Sequence, residues 1–433
     1  MFLYHKVIFI DMIDIKLVRE RPELFKDSYK RMKKPKLLTQ LNELIEKDVL
    51  SRSIKIQIDN LRAERNTLSK KVSALKKEGK DASKVLKKVR DLPEQLKRVE
   101  QKYEKVNNEM NELLYTLPNI VHKDVPYGKS DKDNVEFKKW GKKAKFSFPV
   151  KNHVELLENL DAVDFEASAK SSGNGFYYLK GDFARLNQAL LRYAMDIMEK
   201  NKYMYIEPPL MLWKDVLAAA VDVEEFKNTI YTVDGEDTCL IGTSEHAILG
   251  MHKGKVIDVP KKYYAYTMCF RKEIGAHGIN EKGLWRTHQF NKVEQFVFCS
   301  EEDSWKYYDE MLSVSEKIFQ GLELPYRIVE LCTGDLARWK AKSCDMEVWR
   351  PTTEDYGEIT SLSNCTDYQA RKLNMRYEDK DGNRKVVSTL NNTALATSRI
   401  LVAIAETYQQ KDGSIKVPKV LVPYMNGLKV IKK

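Results

Sequence analysis

Between residues 37 and 114 apolar side chains return every third or fourth position, which leaves the chain little option there but two long helices. Ile54, Ile58, Leu61, Arg65, Leu68, Val72 and Leu75 form one seam. After a break at Gly79, Val85, Val89, Leu92, Leu96, Val99, Tyr103, Val106, Met110 and Leu113 form a second. Two such stripes joined by a short turn predict an antiparallel coiled-coil hairpin. Its second helix, of about 34 residues, would project roughly 50 Å. Pro93 is expected either to kink that helix or to mark a fresh start capped by Asp91. The tip is strongly basic: Lys70, Lys71, Lys76, Lys77, Lys80, Lys84, Lys87, Lys88 and Arg90 stand against Glu78 and Asp81 alone. A solvated coiled-coil surface is normally more balanced in sign. A cationic tip on a rigid arm suits a nucleic-acid backbone held away from the body.

The rest of the chain is different material. With 433 residues, 42% of them apolar, a second domain with a sizeable core is expected. Pro118, Pro126, Gly128 and the charge run after it mark a linker over residues 118–135, followed by one α+β domain over 136–433. The net charge of +11 favours a polyanionic partner. Six cysteines lie at least twelve positions apart, which excludes a CxxC pair and a local zinc knuckle and fits a reducing cytosol. No apolar run is long enough to span a membrane. Met12 opens a more ordinary start than Met1, so residues 1–11 read as a dispensable extension.

Chemistry concentrates in four stretches. Residues 263–271 and 285–299 are rich in aromatic and β-branched side chains and flank a loop carrying Gly275, Gly278 and Gly283; they predict two strands of a long hairpin. Period-two alternation puts Arg286, Phe290 and Glu294 on one face, with Arg271 and Glu273 at the end of the partner strand. Such a face suits a ligand with phosphate, a flat base and an ammonium group, or else a surface hairpin with solvated ion pairs. Residues 239–245 read as a strand entering a helix, where Thr243 or Ser244 either caps the helix or joins Glu245 in binding an ammonium. Residues 386–390 predict a buried strand running through Asn391 and Asn392 into a small-residue helix over 393–405. Arg399 in that helix needs an anion, either a structural carboxylate or a ligand phosphate. Glu358, on a strand over 356–361, is either a magnesium ligand or an ion-pair partner. Residues 184–199 predict an amphipathic helix, followed by a strand over 203–212 that contains Pro208 and Pro209. Neither GxxxxGK[ST] nor GxGxxG occurs, so a nucleotide site here is not a P-loop.

In this order and spacing the motifs resemble the class II aminoacyl-tRNA synthetases, and among them the seryl-tRNA synthetase family, over almost everything from Met12 onward. Met12-Ile-Asp-Ile-Lys resembles the family's usual start, the helical hairpin its tRNA-binding domain (12–117), and residues 184–209 motif 1 with its dimer-forming proline. Phe270-Arg-Lys-Glu through Glu294 resembles motif 2, and residues 391–404 with Arg399 motif 3. Thr243-Ser244-Glu245 is similar to the serine-binding triplet, and Glu358-Ile359-Thr360-Ser361 to the ATP-binding strand. The motif 2 loop departs from the pattern, with Ile279 and Asn280 where a charged stretch is usual. The cysteines do not match the zinc-ligand arrangement of the rarer metal-dependent seryl type.

The resemblance implies an α+β protein: an antiparallel mixed-sheet class II catalytic domain preceded by a coiled-coil arm. It implies a cytoplasmic homodimer joined through motif 1, ATP and Mg2+ as cofactors, and L-serine and tRNA(Ser) as substrates. Charging of tRNA(Sec) is also admitted. Arg271 would hold the α-phosphate and the serine carboxylate, Arg399 the γ-phosphate, and Phe290 would stack on adenine against Arg399. Lys272, Glu273 and the main chain near Thr287 complete the nucleotide end, and Glu358 with Ser361 would hold Mg2+. Thr243, Ser244, Glu245 and Glu294 would bind serine, with Asn391 and Thr393 closing the pocket. The nine basic tip residues would bind tRNA. Two other readings compete: a synthetase-like enzyme loading a carrier protein, whose relatives lack the arm, and a non-catalytic tRNA-binding paralogue, which would have lost the ATP residues.

Overall fold

The computed structural model of the chain describes residues 12–221, 228–273 and 282–433. Residues 1–11, and Gly275, Gly278, Ile279 and Asn280 of the hairpin loop, lie outside the described residues. The chain divides into two compact units, residues 12–120 and 121–433.

In the first unit the apolar stripes become helices α1 (Pro35–Lys77) and α2 (Ser83–Thr116), of 43 and 34 residues. Ile54 and Ile58 of α1 bury against Leu96 and Val106 of α2. Gly79 lies at φ +67°, and the amides of Gly79 and Lys80 return to the carbonyls of Lys76 and Leu75. That pair of capping bonds needs a left-handed residue, which glycine supplies without steric cost. Asp81 accepts from the Ser83 amide at 2.8 Å as α2 opens. All nine basic tip side chains are exposed. Pro93 does not mark a fresh start: it lies inside one continuous α2, and Asp91 is a residue of that helix rather than its cap. Its missing N–H forfeits one helical bond, of order 3 kcal/mol with the ring clash. Burial of Leu92 and Leu96 on either side of it holds the helix together.

The second unit is built on an eight-stranded mixed sheet. Its strands are β1 (Val135–Trp140), β2 (Met204–Tyr205), β3 (Lys261–Phe270), β4 (Gln289–Cys299), β5 (Tyr326–Glu330), β6 (Lys342–Arg350), β7 (Asp355–Asn364) and β8 (Ser388–Ala396). They are ordered β1-β5-β6-β7-β8-β4-β3-β2, all antiparallel except the β2/β3 pair. Helices Gly181–Lys200, Ser304–Gly321 and Thr397–Thr407 close the main core, burying Phe183, Leu190, Phe319 and Leu401 against Val297 and Met346.

Residues 121–134 are less free than a linker. The Gly128 amide donates to the Thr333 hydroxyl at 3.3 Å, the Cys332 amide donates to Asn134 Oδ1 at 2.9 Å, and a Cβ on Gly128 would fall 2.4 Å from Cys332 Sγ.

Three expected element boundaries shift. The strand expected over 203–212 shrinks to β2, because Pro208 and Pro209 have no amide to give a ladder; Met211–Trp213 instead pairs separately with Thr238–Leu240. The buried strand near 386–390 runs on to Ala396, so Asn391, Asn392 and Thr393 are strand residues and the helix begins at Thr397. Finally, β4 begins at Gln289, so Arg286 is not in register with Phe290 and Glu294.

Candidate active site

Strands β3, β4, β7 and β8 and the starts of two helices surround a cavity of about 400 Å³. The alternation along β4 brings Phe290, Lys292 and Glu294 into its lining, all three from one face of the strand. Thr393 stands directly opposite Glu294 on β8, just before a β-bulge, which turns the strand as it feeds the Arg399 helix. From β7 come Glu358, Ile359, Thr360 and Ser361. Thr243 and Glu245 enter from the N-terminus of helix Ser244–Met251.

One end of the cavity is rich in carboxylates. Thr243 caps the helix, as one of its two readings has it, and it also faces the cavity. Its hydroxyl oxygen accepts from the Glu245 amide at 3.4 Å as the helix cap, and its hydroxyl donates to Glu294 at 3.0 Å. Lys292 Nζ donates to the same oxygen at 3.0 Å and ion-pairs with Glu294; the two side chains are only 7% and 1% exposed. Glu245 accepts from Gln369 Nε2 at 2.7 Å and Asn391 Nδ2 at 3.1 Å, and Gln369 is itself held by the Thr389 hydroxyl. Burial, and secondly the neighbouring Glu294, push the Glu245 carboxyl up to about 7. Ser244 is buried and does not line the cavity.

The other end is cationic and aromatic. Arg271 is aimed by its Nε bond to the Gly242 carbonyl (3.1 Å), with its guanidinium carbon 5.4 Å from the Phe290 ring centroid. Glu273, at φ +50°, pairs with Arg286 at 3.1 Å. Arg399 bonds both the Glu358 carbonyl (2.7 Å) and its carboxylate (3.0 Å). Burial raises the Glu358 carboxyl, but Arg399 and then Arg271 outweigh it and hold the group below its ordinary range. On β6, opposite Ser361, burial and then Glu358 push Asp345 up to about 8. Lys272 lies away from the cavity, over the Tyr231 ring at 5.6 Å.

A face of bidentate guanidinium groups and a ring, continuous with a buried acidic end, accommodates a molecule carrying phosphates, a flat base and a small ammonium. Residues 12–121 match the model of the seryl-tRNA synthetase N-terminal domain, and residues 228–408 that of the tRNA synthetase class II core domain (G, H, P, S and T). The serine–tRNA ligase of Methanocella arvoryzae is 43% identical over 97% of this chain and 100% of its own. The chain belongs to the seryl-tRNA synthetase family. The crystal structure of seryl-tRNA synthetase from Pyrococcus horikoshii complexed with ATP superposes with a TM-score of 0.92, at 38% identity over 97% of this chain and 99% of that one. The cytoplasmic serine–tRNA ligase of Naegleria fowleri in complex with AMP gives 0.89, at 32% identity over 97% and 98%.

Within this seryl-tRNA synthetase fold the two cavity arginines lie over different rings. Arg271 lies over Phe290, and Arg399 lies over Trp285 at 5.5 Å and donates to its carbonyl at 3.4 Å. The Glu358 pair draws Arg399 to that side. Several residues in or beside the cavity were given no role from sequence. Lys292 shares the parity of Phe290 and Glu294, so the signal was present, though a lysine between them reads as a surface charge. Gln369, on helix Tyr368–Lys372, Asp345 on β6 and Lys340, a cavity residue on the segment just before β6, carried no local signal, since segments far apart in sequence deliver them. Among the described residues no group of three or more His, Cys, Asp or Glu side chains could hold a metal, and no helix is long and apolar enough to cross a membrane.

Proposed function

We propose that the chain is an ATP-dependent serine–tRNA ligase. It activates L-serine to seryl-adenylate and transfers the seryl group to the 3′ end of tRNA(Ser). The observation that carries this reading is the single cavity joining the acidic end (Thr243, Glu245, Glu294) to the cationic end (Arg271, Phe290, Arg399). The serine ammonium would meet Glu245 and Thr243, and its hydroxyl Glu294 and Thr393, with Asn391 steadying Glu245. Alanine would leave those buried groups unpaired, at a cost of several kcal/mol. Threonine would need room for a further methyl group.

The serine carboxylate attacks the α-phosphate in line and pyrophosphate leaves; the terminal ribose hydroxyl of tRNA then takes the acyl group. No side-chain nucleophile is needed, so catalysis is positioning and charge neutralisation. Arg271, beside Phe290, would hold the α-phosphate while adenine stacks on the ring, and Glu273 and Thr287 would border the base. Arg399 must exchange its Glu358 pair for the γ-phosphate. Glu358 and Ser361 offer hard oxygen donors that fit Mg2+, an ion that neutralises phosphate charge when bound.

The exposed basic tip supports tRNA binding by the arm. A homodimer is supported by an apolar patch after the Gly181–Lys200 helix, where Met204 is 61%, Met211 48% and Trp213 62% exposed around Pro208 and Pro209. Monomers rarely leave such a patch uncovered. A cytoplasmic setting agrees with six buried free thiols. Amino-acid-dependent ATP–pyrophosphate exchange tests the reading: exchange with serine is expected, and exchange with another amino acid only, or with none, would overturn it.

A further inference from the structure

Behind the cationic end lies a buried network that the chemistry above does not use. It is centred on His153, the first residue of helix His153–Asn159. The backbone before it is clamped, because the Lys151 amide donates to Gln409 Oε1 (2.9 Å) and its carbonyl accepts from Gln409 Nε2 (3.0 Å). The His153 ring bonds at both nitrogens. Nδ1 lies 3.1 Å from Glu406 Oε1, and Nε2 accepts the Leu284 amide at 3.1 Å. Glu406 is fully buried and also takes Arg350 Nη2 (3.1 Å) and the Thr352 hydroxyl (2.7 Å). An ionised carboxylate can only accept, so the ring proton sits on Nδ1 and Nε2 offers its lone pair. Gly283 makes the approach possible: a Cβ there would fall 2.6 Å from Nε2, and its φ is +152°.

The turn held this way leads straight into the cavity. Trp285 is covered by the Arg350 guanidinium at 4.2 Å and gives its carbonyl to Arg399, while Arg286 reaches Glu273. Glu406 and Arg399 lie on one helix, seven residues apart, so that helix grips the turn twice. It does so directly through Arg399, and through Glu406, His153 and the Leu284 amide. We propose that His153 is a positioning residue for nucleotide binding: a tautomer-locked link that fixes the 284–287 turn and thereby the Trp285 and Arg286 wall of the ATP end. This rests on the ligase reading above.

The test is steady-state ATP–pyrophosphate exchange in the full-length protein, with KM for ATP and for serine measured separately. His153→Asn keeps a donor near Nδ1 but loses the acceptor for Leu284; His153→Gln keeps an acceptor near Nε2. With one hydrogen bond to a buried amide at stake, His153→Asn should raise the ATP KM about tenfold. The serine KM should stay within about twofold, and His153→Gln should recover most of the loss. A parallel rise in both KM values, or a Gln variant as impaired as the Asn variant, overturns the proposal. Should His153→Asn fail to fold, Gly283→Ala pushes the ring off the turn from the other side. A rise confined to the ATP KM then supports the link, and an unchanged ATP KM overturns it. Wild-type protein without serine-dependent exchange sinks the ligase reading and this inference together, whereas normal wild-type exchange with either negative result sinks the inference alone.

Discussion

Glu245 should make serine use fall steeply on the acid side of neutrality. The carboxyl is buried beside Glu294, and its folded-state pKa lies near 7 against 4.5 for the free group. Across that gap the linked free energy is about 3 kcal/mol. Because the folded pKa is raised, the stability linked to Glu245 is fully present below about pH 4.5 and is lost as pH rises through about 7. Serine binding runs the opposite way, since a protonated Glu245 cannot serve as the ammonium's counter-ion. The free enzyme's kcat/KM for serine should therefore drop about tenfold per pH unit below pH 7. Glu245→Gln should flatten that limb and lower the neutral plateau by roughly 100-fold, the worth of one charge-assisted bond. The assay is serine-dependent exchange at saturating ATP from about pH 5.5 to 8.5. A wild-type profile flat to the acid end, or a limb that survives in the Gln variant, refutes the role given to Glu245.

Arg271→Ala should abolish exchange, with a loss of roughly 1,000-fold or more, because the group neutralising charge at the reacting phosphate is gone; near-normal exchange would refute its placement. Shortening the arm tip around Gly79 should leave exchange within about twofold while raising the tRNA KM about tenfold and flattening its salt dependence. Unchanged charging would remove the arm from tRNA binding. Met211→Lys with Trp213→Lys should shift sedimentation from dimer to monomer by placing charges in the apolar patch. A dimer that persists in the double variant locates the interface elsewhere.

Much of this architecture follows from periodicity that any reader of the chain can count. The two arm helices, the Gly79 turn, the β3–β4 hairpin and the strand entering the Thr243 helix are each fixed by interactions between residues near in sequence. Where local rules misled, a distant partner outweighed them. Pro93 stays helical because Leu92 and Leu96 are buried in the arm seam, and Asn391–Ala396 stays extended because β4 and β7 flank it in the sheet. Thr243 carried two readings because a hydroxyl that caps a helix can also face a ligand, and its bond to Glu294 comes from a strand about fifty residues away.

The sequence alone named most of the residues that form the two cavity ends, though not Lys292, because motif order and strand parity put Phe290 and Glu294, Thr243 and Glu245, and Glu358 and Arg399 within reach. How those groups pair was decided only by tertiary structure. Lys292 between Glu294 and Thr243, Gln369 on Glu245, Arg399 on Glu358, and His153 under Leu284 are all set by which segments the fold brings together. A buried charge or polar atom must find a partner, and apart from Lys292 and Glu294 on one strand those partners come from segments tens to hundreds of residues apart.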